Sequence, residues 1–137
     1  MKKLTICTVS CLMIALTSCT PTEETVTAVE NGPFKIVIRS QEFHHSGVRN
    51  IDVCVAQASA REFPTSKSQC FLHGFDFSGL YVTWRGEREV EVSFKCGRVA
   101  YFKNDVLVYP EGPVPEEFHA TLREDCGYTG STTCQGS

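Results

Sequence analysis

From Pro33 onward, large apolar residues recur at every second position, and no other feature of the chain restricts its fold as much. Phe34, Ile36 and Ile38 alternate with Lys35, Val37 and Arg39; Ile51, Val53 and Val55 alternate with Asp52, Cys54 and Ala56. Leu80, Val82 and Trp84 flank Tyr81 and Thr83, while Val90, Val92 and Phe94 alternate with Glu89, Glu91, Ser93 and Lys95. A period of two places one set of side chains on a single face of a strand, so these runs read as half-buried strands of antiparallel sheets. Val99 and Tyr101, then Val106 and Val108, continue the pattern.

The breaks between the runs carry turn chemistry. Arg85-Gly86-Glu87-Arg88, Cys96-Gly97 and Asn104-Asp105 are short, and each contains Gly, Asn or Asp, the mark of hairpin links. The reading is a four-strand hairpin meander from Leu80 to Tyr109. Between Ala56 and Ser78 the pattern loosens into a long loop, with one strand near Cys70 to Phe75. The prolines of Glu111-Gly112-Pro113-Val114-Pro115 lack backbone donors and exclude a central strand. Phe118, Ala120 and Leu122 restore period two, so Glu116–Glu124 reads as a final strand, with a one- or two-turn helix as the alternative. Six to eight short strands with hairpin links imply an all-β fold, an antiparallel β-sandwich or small barrel, in one domain spanning 33–137.

The first residues have a different character. Met1-Lys2-Lys3 is positive, and Leu4 to Leu16 is uncharged and mostly apolar or small. This is the pattern of an export signal, too short for a spanning helix, which needs about 20 apolar residues. It ends in Leu16-Thr17-Ser18-Cys19, a leucine, two small residues and a cysteine. That sequence resembles the lipobox of bacterial lipoproteins. The resemblance covers residues 1–19 and implies removal of residues 1–18, diacylglycerol on the Cys19 sulfur and a membrane partner reached through the lipid. Thr20 stands where Asp would direct retention at the inner membrane in enterobacteria-like sorting, so the implied address is the outer membrane, facing the periplasm. Two or three acyl chains hold firmly because each buried CH₂ contributes about 0.8 kcal/mol. Residues 19–32, rich in Thr and Glu, read as the lipidated cysteine and a flexible tether of at most about 45 Å, with an edge strand over the last few of them as the alternative. The C-terminal part of the chain loosely resembles small lipoproteins of unknown function, with Trp84 ending one strand and Gly97 in the next turn.

Removing Lys2 and Lys3 takes the formal net charge from −3 to −5. No basic run is present, which argues against nucleic acid as a partner. Cys7 and Cys11 leave with the signal. Lipidation of Cys19 leaves Cys54, Cys70, Cys96, Cys126 and Cys134 as disulfide candidates, an odd number in an oxidising compartment. Cys126 and Cys134 flank a Gly/Thr/Ser loop that closes readily. Cys54, Cys70 and Cys96 would then form a second bond and leave one thiol over. Without lipid on Cys19 the count is even, and a soluble secreted, disulfide-bonded domain is the alternative.

Catalytic signatures are lacking: no C-x-x-C pair, G-x-S-x-G elbow or Gly-rich phosphate loop occurs. His44, His45, His73 and His119 do not have zinc-ligand spacing. No cofactor, metal or catalytic residue is assigned. The expected function is that of a non-enzymatic binding or interaction module in the cell envelope, with an envelope protein as a candidate partner. A redox or hydrolytic protein using the odd cysteine is the rival. Phe71, Phe75, Phe77, Tyr81 and Trp84, in the most aromatic stretch, are the candidate binding patch, since Tyr and Trp are enriched at interface hot spots.

Overall fold

The computed structural model describes residues 21–43, 46–110 and 114–125. Among them are nine strands: β1 (Glu23–Asn31), β2 (Phe34–Glu42), β3 (Arg49–Gln57), β4 (Cys70–Ser78), β5 (Tyr81–Trp84), β6 (Glu89–Phe94), β7 (Cys96–Phe102), β8 (Asp105–Val108) and β9 (Glu116–Glu124). They form two sheets. Sheet A has the order β1-β2-β3-β4-β7 and sheet B the order β5-β6-β9-β8. Every pair in sheet A is antiparallel, whereas β6 and β9 in sheet B run parallel.

The alternating apolar residues face inward from both sheets. Ile36, Val53, Val55 and Leu72 from sheet A meet Val90, Val92, Val106, Val108 and Phe118 from sheet B, all essentially without solvent contact. Phe118 is central to this core. Its ring packs edge-on to Phe34 at 4.8 Å and to Trp84 at 6.2 Å. The fold is therefore all-β, a sandwich of two sheets and not a closed barrel.

The expected meander from Leu80 to Tyr109 is corrected. β5 and β6 do form a hairpin around Arg85–Arg88, but β7 pairs with β4 and β8 pairs with β9. One residue, Lys95, separates β6 from β7, and the chain changes sheet there. A strand that turns a corner between two packed sheets keeps its alternation while exchanging partners. Gly97 is accordingly not a hairpin residue. A Cβ there would collide with the Phe77 ring, and a Cβ on Gly74 would lie 2.6 Å from the same ring. Two glycines on adjacent strands thus form a slot for Phe77, which packs on Phe94 at 5.0 Å.

The expected tether is also corrected for most of its length. Residues 23–31 form β1, paired with β2 over nine positions from Glu23↔Glu42 to Asn31↔Phe34. β1 is an edge strand and most of it is exposed, so it lacks the apolar alternation that marks strands packed on a core. Its far end is tied to sheet B: Trp84 Nε1–H donates to the Val29 carbonyl at 3.0 Å, and Asn31 Nδ2–H donates to the Gly86 carbonyl at 3.1 Å.

A second, smaller apolar cluster lies on the outer face of sheet A. Val37, Cys54 and Ala56 point away from the main core, and Ala60, Phe63 and Cys70 cover them. The segment from Ala58 through a short 3₁₀ turn at Lys67–Gln69 forms a strap across this face. Lys35 Nζ holds its start, donating to the carbonyls of Ala58 at 3.1 Å and Ala60 at 2.6 Å. A disulfide between Cys54 and Cys70, opposite each other on β3 and β4, holds its end.

Candidate binding cleft

The strand register places one side chain from every strand of sheet A in a single row across its outer face. Val26 pairs with Arg39, Arg39 with Asp52, Asp52 with His73, and His73 with Tyr101. The row below it runs Glu24, Gln41, Asn50, Phe75, Arg98. The strap rises beside these rows and bounds an open cleft of about 470 Å³ lined by Arg39, Gln41, Asn50, Asp52, His73 and Tyr101 from the sheet, with Phe63, Thr65 and Lys67 on the strap side.

Asp52 organises the floor of the cleft. Its Oδ2 accepts from Arg39 Nη2 at 2.7 Å and Nε at 3.2 Å, and its Oδ1 lies 2.7 Å from His73 Nδ1. One carboxylate thereby fixes a guanidinium and an imidazole on neighbouring strands. Asp52 retains 17% of its side-chain exposure and Arg39 28%, so the pair is shielded but not dry. The Arg39 guanidinium also lies 4.1 Å from the centre of the Phe63 ring, which joins the floor to the strap through a cation–π contact.

Phe75 extends the same surface. Its ring packs edge-on to His73 at 5.2 Å, and the Arg98 guanidinium lies 5.4 Å from its centre. Arg98 in turn donates to Asp76 Oδ2 at 3.1 Å, while Asp76 Oδ1 accepts the Arg49 backbone N–H at 2.9 Å. That backbone hydrogen bond, with further help from Arg98, holds the Asp76 carboxyl below its ordinary pKa against a smaller opposing effect of burial. On the outer side of sheet B, Glu91 is likewise lowered, first by its hydrogen bond from Arg85 at 2.6 Å.

The five aromatic residues expected as a patch are not brought together. Phe71 is fully buried in the core, Phe77 fills the glycine slot, and Trp84 packs on Phe118. Tyr81 is 59% exposed but stands on β5 in the other sheet, and Phe75 alone lies on the outer face of sheet A beside the cleft, against His73. In the sequence no motif marks Arg39, Asp52 or Tyr101, and His73 stands out only as a metal candidate. Their shared outward parity on four strands is visible in the sequence, but their adjacency depends on register.

Among the cysteines, Cys54 and Cys70 are joined, and Cys96 is disulfide-bonded as well. The expected leftover thiol is therefore none of these three, and the partner of Cys96 lies outside the described residues. Cys19, Cys126 and Cys134, and the pairing of the last two, fall outside the described residues, as do His44 and His45. His119 Nδ1 lies 2.7 Å from Asp105 Oδ1 on sheet B, away from the cleft. No group of three or more His, Cys, Asp or Glu side chains suited to a metal ion occurs among the described residues. Comparison with protein-family models, with curated proteins and with solved structures returns no match to this chain.

Proposed function

We propose that this chain is a lipid-anchored envelope protein whose β-sandwich is a non-enzymatic binding module, and that the cleft on the outer face of sheet A is its contact surface. The observation that carries this reading is the Arg39–Asp52–His73 row walled by a strap that a disulfide and Lys35 hold in place. Polar side chains fixed by one another before a ligand arrives lose little conformational freedom on binding, which favours affinity. The export signal and the Leu16-Thr17-Ser18-Cys19 lipobox support the anchor and an outer-membrane address, and disulfides suit an oxidising compartment. The redox rival needs an accessible thiol, which none of Cys54, Cys70 and Cys96 supplies, so it would have to use Cys126 or Cys134.

Two measurements test the reading. The intact mass of detergent-extracted protein should show loss of residues 1–18 and gain of a diacylglyceryl group with a fatty acid. An unmodified mass removes the anchor. For the cleft, a photoreactive benzophenone side chain in place of Thr65 should form one dominant adduct in intact cells. The same group in place of Leu107, exposed on sheet B, should not. Equal labelling from both positions, or none from residue 65, overturns the cleft as a binding surface.

A further inference from the structure

The groups in the cleft that remain open to a ligand suit hydroxyls better than backbone or apolar side chains. We propose that the cleft binds an acidic saccharide, a hydroxyl-rich chain bearing carboxylates; this rests on the cleft being the contact surface. Three properties of the floor lead there.

The first is hydrogen-bonding character. The Asn50 amide, the Thr65 hydroxyl and the Tyr101 hydroxyl line the cleft, and no protein hydrogen bond from these side chains occurs among the described residues. Gln41 gives its Nε2–H to Glu24 at 3.1 Å and keeps its amide oxygen available. Amides and hydroxyls both donate and accept, which is what a sugar hydroxyl requires of its surroundings. Asp52, whose two oxygens are occupied by Arg39 and His73, acts instead as the brace that keeps the floor in place.

The second is charge. Arg39 and Lys67 stand in the cleft against the single carboxylate of Asp52. Arg39 is committed to that carboxylate, whereas Lys67 makes no ion pair among the described residues. The side chains that line the cleft thus carry two cations and one anion, with Glu24 standing outside them beyond Gln41, and this lining favours an anionic ligand.

The third is the state of the aromatic rings. Guanidinium groups stand over Phe63 and Phe75, so neither ring offers an empty apolar socket for a peptide anchor. Tyr101, 38% exposed at the end of the row, leaves part of its surface open for the C–H side of a sugar ring. The cleft floor is a face of the sheet, where the strand amides are already paired, and strand addition needs a free edge, which sheet A presents at β1 and β7 and not across this floor.

The test is calorimetric titration of the full chain in detergent micelles. The probes are tetra-galacturonate, tetra-mannuronate and tetra-guluronate, the neutral galactotetraose, and tetraglutamate as an acidic peptide. At least one uronate should bind about tenfold more tightly than both controls, the worth of one charge-assisted contact. Lys67→Ala and Tyr101→Ala should each weaken that binding about tenfold, with Lys103→Ala unchanged. The three substituted side chains lie outside the buried core, and an unaltered melting temperature verifies that each variant folds. Tetraglutamate binding as tightly as the uronates reduces the effect to bulk charge and overturns the proposal. No saccharide binding, with the residue 65 adduct present, overturns the ligand class and leaves the cleft as a contact surface. No binding and no adduct overturns both.

Discussion

Asp76 shows how one side chain can set the end of a strand. Its φ is +54°, in the left-handed region where Asp is tolerated better than most residues because its short polar side chain bonds locally. It sits where the β4–β7 register shifts, between Phe75 and Ser78, and ties β3 to β7 through the Arg49 N–H and Arg98. Asp76→Ala should cost about 1–2 kcal/mol, measured by urea denaturation at neutral pH, because a charge-accepted hydrogen bond is lost while the backbone angle remains. Asp76→Asn keeps the shape and removes the charge. The folded carboxyl titrates below its ordinary value, so the stability it adds is complete above the unfolded pKa near 4 and fades as pH falls through the lower folded value. The difference in urea midpoint between the native chain and the Asp76→Asn variant should therefore shrink as pH drops below about 4 and stay flat between about pH 5 and 8. A difference that grows on acidification would contradict the assigned hydrogen bond. The glycine slot is a second test at this scale. Gly74→Ala places a methyl group against the Phe77 ring and the Arg98 carbonyl, and should destabilise by about 1–3 kcal/mol. Phe77→Leu in the same chain should restore part of that loss if the ring is the obstacle; no restoration would point to the carbonyl instead.

At the scale of elements, strands are legible from sequence and their partners are not. Glu116–Glu124 is found from Phe118, Ala120 and Leu122 alone, because alternation is a local consequence of one face being buried. The partner of β7 depends on Lys95 turning the chain from sheet B to sheet A, and neither Lys95 nor Gly97 signals a change of sheet. β1 is missed for the opposite reason: at the edge, with Val26 51% exposed, it buries too little to select apolar residues at alternate positions. The cleft inherits this limit, since Arg39, Asp52, His73 and Tyr101 are neighbours only once four strands are in register. The strap is the element whose contribution is most open to measurement. Its disulfide spans 16 residues, a closure that should stabilise the fold by about 3 kcal/mol in the chain-entropy model. Replacing both cysteines, Cys54→Ala with Cys70→Ala, should lower the urea midpoint accordingly. It should speed amide exchange across residues 58–69 before the β6–β9 pair is affected. Uniform acceleration over both sheets would show that the bond supports the whole sandwich and not the strap.

For the whole molecule, the place where β1 begins decides how the domain would stand on a membrane. A tether through Gly32 would let the sandwich tumble tens of ångströms from the lipid. With β1 starting at Glu23, only residues 20–22 lie between Cys19 and the first strand, and the four steps from Cys19 to Glu23 span at most about 14 Å. On the proposed anchor, the end of sheet A that carries Glu23, Glu42 and Arg49 faces the headgroups. The Asn31–Phe34 turn and Gly86 lie roughly 27 Å further out, the length of eight strand steps. The cleft then opens sideways near the membrane, within reach of polymers lying along the surface and not of those approaching from above. A fluorescent amino acid at residue 42 should be quenched strongly by spin-labelled headgroups in vesicles carrying the lipidated chain. The same label at residue 87, beside Gly86, should be quenched little. Residue 42 is exposed enough to accept the label, and its salt bridge to Arg49, 3.2 Å long with both side chains at least 40% exposed, contributes at most about 1 kcal/mol. Comparable quenching at both positions would mean that the domain lies along the surface or swivels on residues 20–22, and would overturn the upright orientation. The Cys19→Ser chain, which cannot be acylated on sulfur, should show quenching at neither position. That control separates a long leash from a missing one.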